Sequence, residues 1–430
     1  MVTIPFTSTA LNRKQVKDYL SILSGSAGRL LISLVYFVAL ANALSLGDFG
    51  LFATASATGV VLSRFTAFGF ISPLYRTATV RHRLLGSYTT GYLAAFVLSL
   101  PFVLSIAFGL HWLIFADGFG WTAFLYVMLA EIVFWRLAET VIIVNNGLNR
   151  FLTAALLTIL GTTFRAIAGL AFWWSGTHML AEWSVYYLIA NVASMIVMVA
   201  FFYPRHRARW QPSLWLARLK DALGVSAAEA LFYVQMELDK VLVLSVGGQV
   251  AAGLYAILMR LADLTAVPIR SFNMMLVQAV MRKRSGIEPH LAILTEALIG
   301  VVSSAALGAM ALLLLIDPAA LGASIEQAAG YVLLILLVPA FRNLIEYHSE
   351  LLYARELTTE RAGLMAAIGA LKAVFLVGVL TIWIEFSDRA LALNAAFFGL
   401  YLVSLIASHT ILHRKSQRED RMLHGAPAPA

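Results

Sequence analysis

The strongest constraint in this chain is a succession of about a dozen apolar runs, each close to 20 residues long, that fills nearly all of its 430 residues. About 20 consecutive apolar residues in helical conformation cross the hydrocarbon core of a bilayer. Helices are the economical spanning structure because they satisfy their backbone polar groups internally. Barrel strands would instead be alternating segments of about ten residues, a pattern the runs do not show. With 60% hydrophobic residues and a mean hydropathy of +0.82, no room is left for a separate soluble domain. The expectation is an all-α integral membrane protein of twelve helices. The spans are placed at 20–42, 49–73, 85–109, 121–146, 152–174, 180–203, 221–246, 251–279, 291–316, 328–353, 363–384 and 391–411.

The connections fix an expected orientation. Twenty-one Lys and Arg residues fall on one side, among them Arg76, Arg81, Arg83, Arg205, Arg207, Arg209 and Arg218, and only Arg389 falls on the other. Cytoplasmic loops collect basic residues, so both termini are expected in the cytoplasm. The net charge of +8 is then a topology signal and not a sign of nucleic-acid binding, and some of these loops are expected to touch anionic lipid headgroups. Near the N-terminus, "VALANALS" offers an A-x-A look-alike at Ala39 and Ala41, but Arg29 interrupts the would-be signal core. An uncleaved first helix is the reading adopted.

The longest basic connection, "YPRHRARWQPSLWLARLK" (203–220), lies near the middle and divides twelve spans into two sets of six. This predicts an N-terminal lobe (1–203), a basic linker (204–220), a C-terminal lobe (221–411) and a tail (412–430). Six spans per half give both halves the same orientation. Two echoes support a duplication: Gly50-Leu51-Phe52-Ala53 matches Gly253-Leu254-Tyr255-Ala256 at an offset of 203, and Trp135-Arg136 matches Phe341-Arg342 at 206.

Nine of the 31 basic residues lie within spans: Arg29, Arg64, Arg136, Arg165, Lys240, Arg260, Arg270, Arg342 and Lys372. An ionised side chain at the bilayer centre costs roughly 2.5–3.5 kcal/mol even on a lenient scale, so these residues should turn inward. Acids accompany them at helical spacing. Span four carries Glu131, Arg136 and Glu139; span ten carries Arg342, Glu346 and Glu350; span seven carries Glu229, Tyr233, Glu237 and Lys240, next to Asp239; span eight carries Arg260 and Asp263. Pairs three or four apart can neutralise one another on one helix face, and Lys240 sits near enough to a span end to snorkel. Glu131, Glu139 and Glu346 are expected to line a polar interior with the arginines. Guanidinium groups stay charged when desolvated and match phosphate oxygens, so an arginine-rich interior suits an anionic substrate.

Familiar catalytic signatures are missing. There is no G-x-x-x-x-G-K-[ST] loop, no G-x-S-x-G elbow and no H-E-x-x-H, and the chain holds no cysteine. His409 and His413, four apart, read as interfacial side chains and not as metal ligands. Trp and Tyr in "GFGWTAFLY" and "AEWSVYY" read as membrane-interface anchors in preference to sugar-stacking platforms.

The stretch "LDKVLVLSVGGQVAAGLYAILMRL" resembles the second-half signature of bacterial polysaccharide flippases: an acid–base pair in span seven, a small-residue turn, and a G-x-Y-x-x-x-x-R-L opening of span eight. "LSLGDFGLFATASATGVVLSRF" is similar to the first-half counterpart, and "NNGLNRF" to the connection after span four. The family belongs to the multidrug/oligosaccharidyl-lipid/polysaccharide (MOP) exporter superfamily. The resemblance implies two pseudo-symmetric six-helix lobes around a central cavity, and translocation of polyprenyl-pyrophosphate-linked oligosaccharide for O-antigen, capsule or exopolysaccharide assembly. It puts Asp239 and Lys240 on the acid–base pair, and Gly253, Tyr255 and Arg260 on the span-eight motif. The chain departs from the pattern in lacking a proline near Gln278 and in carrying Met259 where a smaller residue is common.

On this reading Arg64, Arg136, Arg270 and Arg342 hold the sugar-pyrophosphate headgroup, while Glu237, Asp239, Lys240, Arg260 and Asp263 serve ion coupling or gating. No enzymatic activity, metal or organic cofactor is expected, only a coupling ion, proton or sodium. Partners are the lipid-linked oligosaccharide, membrane lipids, and a polysaccharide polymerase with its export machinery. Two other readings stay open: a cation-coupled small-molecule exporter of the same superfamily, and an integral-membrane polymerase, which the short outer loops disfavour.

Overall fold

The computed structural model describes residues 28, 30–283 and 289–423, and their regular structure is entirely helical. The helices are α1 (Leu30–Ala43), α2 (Leu46–Ser63), α3 (Ile71–Val80), α4 (Leu85–Leu110), α5 (Trp121–Leu129), α6 (Arg136–Gly147), α7 (Phe151–Ser175), α8 (Leu180–Phe202), α9 (Pro212–Lys283), α10 (Pro289–Ile316), α11 (Ala323–Val332), α12 (Val338–Ala354), α13 (Thr358–Ile382) and α14 (Phe386–Leu423). They form twelve rods. α2 and α3 join across a short 3-10 turn, α5 and α6 across a π turn at Ala130–Trp135, and α11 and α12 across a 66° bend. α9 holds two rods, separated at Gly248, whose φ of 81° and ψ of 179° no helix accommodates. The twelve-helix expectation is met. The first part of span one, the basic residues Arg13, Lys14, Lys17 and Arg29, and the end of the C-terminal tail lie outside the described residues.

The breaks recur at matching places in the two halves. Ser45, which caps α2 by accepting a hydrogen bond from the Asp48 amide at 3.1 Å, lies 203 residues before Gly248. That is the offset that equates Gly50 with Gly253. The π turn ends directly before Arg136, and the bend between α11 and α12 lies just before Arg342. A helix irregularity therefore precedes the mid-span arginine in both fourth rods, where the sequence pattern alone reads as unbroken helix.

Among the described residues, packing gives two compact units, one running to Ile257 and including Asp317–Ala329, the other made of the described residues of Leu258–Ile316 and of those from Gly330 onward. The first rod of α9 thus packs with α1–α8. Its start is seated closely: a Cβ on Gly69 (φ +74°) would lie 2.3 Å from the Ala222 carbonyl oxygen, and one on Gly91 would lie 2.7 Å from the Trp215 ring. The basic connection is likewise docked, since a Cβ on Gly86 would meet the Arg207 carbonyl oxygen at 2.2 Å. Within this unit Asn42 ties α1 to the turn before α11 by donating to the Val38 and Leu321 carbonyls at 2.8 and 2.7 Å.

The expectation that the aromatics of "AEWSVYY" anchor at the interface fails for Trp183. Its ring is fully buried between Phe52, Phe172 and Tyr187, at centroid distances of 5.5, 5.4 and 5.6 Å. Small residues elsewhere in this unit let the helices approach, and the indole fills the space where α2, α7 and α8 meet. Large apolar side chains such as Leu98, Trp174, Leu312 and Val374 are exposed instead, forming the surface that lipid covers.

Gly50 and Gly253 lie against each other. A Cβ on Gly50 would stand 2.4 Å from the Gly253 nitrogen, and one on Gly253 would stand 2.0 Å from the Leu46 carbonyl oxygen. Small residues permit such backbone approach between membrane helices. Gly253→Val is expected to cost at least the ~1–3 kcal/mol typical of overpacking and to lower the thermal midpoint of the detergent-solubilised protein. Gly109→Ala, with no atom within 4 Å of its Cβ, should leave that midpoint unchanged or slightly raised.

Candidate functional site

The first unit buries a charged cluster on three rods. Arg64 sits at the C-terminal end of α2, where the chain leaves helical geometry, and Arg136 opens α6 after the π turn. A π turn inserts an extra residue into its circuit, so the faces before and after it do not follow a 3.6-residue period. Glu139 joins the two arginines. Both of its oxygens accept from Arg64 Nη1 at 2.9 Å, and Oε2 accepts from Arg136 Nη1 at 2.7 Å. Glu229, on the first rod of α9, accepts from Arg64 Nη1 at 3.2 Å and lies 3.9 Å from Arg136 Nη1. One turn further along α9, the Tyr233 ring lies 4.0 Å from the Arg64 guanidinium carbon, within cation–π range.

The cluster is neutral as a set of formal charges but is not fully satisfied. Arg136 is completely buried and Arg64 nearly so. Arg64 Nε and Arg136 Nε and Nη2 are buried and make no hydrogen bond among the described residues. Buried donors without partners are rare and mark strain, water or a ligand. The surroundings are otherwise well connected. Thr140 Oγ1 donates to the Arg136 carbonyl at 2.8 Å and meets Tyr92 at 2.8 Å, and Ser226 Oγ donates to the Arg64 carbonyl at 3.0 Å.

A second network occupies the same unit. Glu131 is buried and accepts from Ser56 Oγ at 2.7 Å and from the Tyr187 hydroxyl. Its other oxygen lies 3.6 Å from Arg165 Nη2, which donates to Asn191 Oδ1 at 2.8 Å; the guanidinium stacks over Trp135 at 4.2 Å. Glu131 and Glu139 therefore serve different arginines although they share one span.

The acid–base motif of span seven splits between two faces. Lys240 pairs with Glu237, while Asp239 is buried and accepts from the Tyr255 hydroxyl at 2.8 Å. Asp239 and Tyr255 flank the Gly248 break, so the hydrogen bond clasps the turn between the two rods of α9.

In the second unit the span-ten stripe disperses to separate partners. Arg342 Nη2 lies 2.9 Å from Asp263 Oδ1, Arg270 Nε donates to Glu346 at 2.9 Å, and Glu350 takes Arg361 at 2.8 Å. Arg260 is half-buried. Each of the four arginines expected to hold substrate thus has a carboxylate beside it, and Arg64 and Arg136 are brought together.

Sequence spacing also misses a group in this unit. Buried His348 lies 3.2 Å from Glu296 Oε1 through Nε2 and 3.0 Å from Ser404 through Nδ1, while Tyr401 donates to Glu296 at 3.3 Å. His409 Nε2 is 3.6 Å from Glu296, whereas His413 bonds to Gln417, so the two histidines do not converge. No group of three or more His, Asp or Glu side chains arranged to hold a metal occurs among the described residues.

No protein-family model and no curated protein sequence matches this chain. Solved structures do. A MOP superfamily transporter from Pyrococcus furiosus, described as having a binding pocket of reversed polarity, matches at a TM-score of 0.60 with 14% identity over 94% of both chains. A multidrug resistance MATE family transporter matches in its inward-facing conformation at 0.58 (15% identity, 93% of this chain and 95% of the other) and in its outward-facing conformation at 0.59 (15% identity, 94% and 95%). At this identity the likeness establishes the fold: the chain folds as MOP superfamily transporters do, nearly end to end.

Removing one partner from a buried ion pair is costly, roughly 3–5 kcal/mol, because it strands the other charge. Glu139→Gln leaves two guanidiniums to share the looser contacts of Glu229 and should lower the unfolding midpoint well below that of wild type. Glu326→Gln, at an exposed carboxylate on α11, should leave it unchanged.

Proposed function

We propose that this protein is a flippase that moves polyprenyl-pyrophosphate-linked oligosaccharide repeat units across the bacterial inner membrane for surface or exported polysaccharide assembly. The observation that carries this reading is the pair of buried guanidiniums, Arg64 and Arg136, on membrane-spanning rods with N–H donors left over after Glu139 and Glu229 are counted. Charge-assisted, forked donors of this kind recognise phosphate oxygens. Arg270 and Arg342, each beside a carboxylate, are the other residues assigned to the headgroup. The fold supplies a framework whose solved members include both inward-facing and outward-facing conformations, which suits alternating access. Coupling to a proton or sodium ion is assigned to Glu237, Asp239, Lys240, Arg260 and Asp263. The polyprenyl tail would stay in the bilayer while the headgroup crosses, with both termini on the cytoplasmic side.

The pairing of every proposed substrate-binding arginine with an acid favours a second reading, a cation-coupled exporter of small molecules, like the multidrug transporters that share the fold. The two separate in a deletion strain. The flippase reading expects complete repeat units to accumulate on their lipid carrier at the cytoplasmic face, with unchanged drug sensitivity; the exporter reading expects the reverse. Arg136→Gln and Arg342→Gln should each abolish complementation while the protein remains in the membrane, and normal complementation by both would defeat the headgroup assignment.

A further inference from the structure

The Arg64–Arg136 site contains two carboxylates that are not equivalent. Glu139 shares a helix with Arg136, three residues away, and makes three contacts of 2.7–2.9 Å with the two guanidiniums. It is the fixed counter-charge. Glu229 arrives from a different rod, makes one hydrogen bond at 3.2 Å and a looser approach at 3.9 Å, and is the more exposed of the two, with 28% of its side chain accessible against 19%. The α9 backbone beneath it is held in place by Ser226, which bonds the Arg64 carbonyl, and by the close seating of Ala222 against Gly69. Of the two carboxylates, Glu229 has the fewer contacts to break on moving. Its oxygen sits within reach of both guanidiniums, whose remaining N–H groups, Arg64 Nε and Arg136 Nε and Nη2, have no acceptor among the described residues. A single carboxylate oxygen leaves that donor set underused, whereas a phosphoryl group, with more oxygens and greater charge, could engage it.

We infer that Glu229 is an internal surrogate for the transported anion: it fills the seat between Arg64 and Arg136 that a phosphoryl oxygen takes, and it must swing out for that oxygen to enter. This rests on the headgroup reading given above. Glu229 then sets a threshold for entry. An anion weaker than a phosphate ester or diphosphate does not outcompete a tethered carboxylate, so the site discriminates by charge without a shape-specific pocket. Departure of the anion lets Glu229 return, which keeps both arginines neutralised through the cycle and avoids two stranded charges in the membrane interior. Tyr233, stacked on Arg64 one turn away, keeps the guanidinium in position while its carboxylate partner changes.

The test is binding of inorganic pyrophosphate to the full-length protein in detergent, measured by calorimetry on wild type, Glu229→Gln, Glu229→Asp, Glu326→Gln and Arg136→Gln. Glu229→Gln should bind about tenfold more tightly than wild type. Glu229→Asp, which keeps the charge on a shorter arm, should fall between the two. Glu326→Gln, an equal change in net charge at an exposed position, should match wild type, and Arg136→Gln should lose binding. Binding by wild type that Arg136→Gln abolishes but Glu229→Gln leaves unchanged overturns the surrogate and keeps the arginine seat. Tightening by Glu326→Gln equal to that of Glu229→Gln also overturns the surrogate, since bulk charge would then explain it. Pyrophosphate binding by none of the five proteins overturns both the surrogate and the headgroup reading. Thermal midpoints of each variant identify any loss of fold, and Glu229→Asp supplies the comparison if Glu229→Gln does not fold.

Discussion

Glu139 bridges two buried guanidiniums, and with Glu229 it balances their charge. Buried arginine on a membrane helix is tolerable only when a counter-charge and enough acceptors travel with it. Here one carboxylate serves residues 64 and 136, which belong to different rods, and so fastens the end of α2 to the start of α6. Other features follow from that clasp. The chain must leave helical geometry after Arg64, the π turn must end at Arg136, and the first rod of α9 must pass close enough for Glu229 and Tyr233 to complete the ring of contacts. An apolar substitute for the trio could pack at least as stably.

Much of the architecture was legible in the amino-acid pattern because the bilayer simplifies the reading. A span needs length and apolarity, both visible residue by residue, and the glycine pair in "SVGGQ" marks the turn that Gly248 makes. Short-range ion pairs were legible too: Arg136 with Glu139 and Glu237 with Lys240 pair three residues apart as spacing suggests. Contacts between rods were not. Arg342 meets Asp263 and not its own stripe, Arg64 meets Glu139 and Glu229 across the unit, and the Glu296–His348–Tyr401 group joins three helices. No helical period encodes which rods are neighbours. Trp183 misleads for a related reason, since an aromatic near a helix end reads as interfacial until the residues packed around it are known.

The irregularities in the rods are as informative as the charges. A straight α-helix presents each face at a fixed period, so moving an arginine to a new bearing requires a bend, a bulge or a break. The fourth rod of each half departs from α geometry shortly before its arginine, by a π turn in one and a 66° bend in the other. The two halves therefore share the position of the irregularity while differing in its form, and the side chains that follow find different partners.

The contact between Gly50 and Gly253 has a historical meaning. When a residue touches its own repeat equivalent, a two-fold axis passes close by, which is the geometry of an isologous interface between identical subunits. A half-length ancestor assembling as a parallel homodimer would have met its twin at this glycine. One codon would then have governed both sides of the crossing, so any side chain introduced there would have been present twice. The neighbours at the offset of 203, Phe52 and Tyr255, differ in what they do: the phenylalanine packs against Trp183, and the tyrosine hydroxyl reaches Asp239. At Gly50 and Gly253 the two copies of the pattern are held to glycine for a physical reason, since neither position leaves space for a side chain between the crossing backbones.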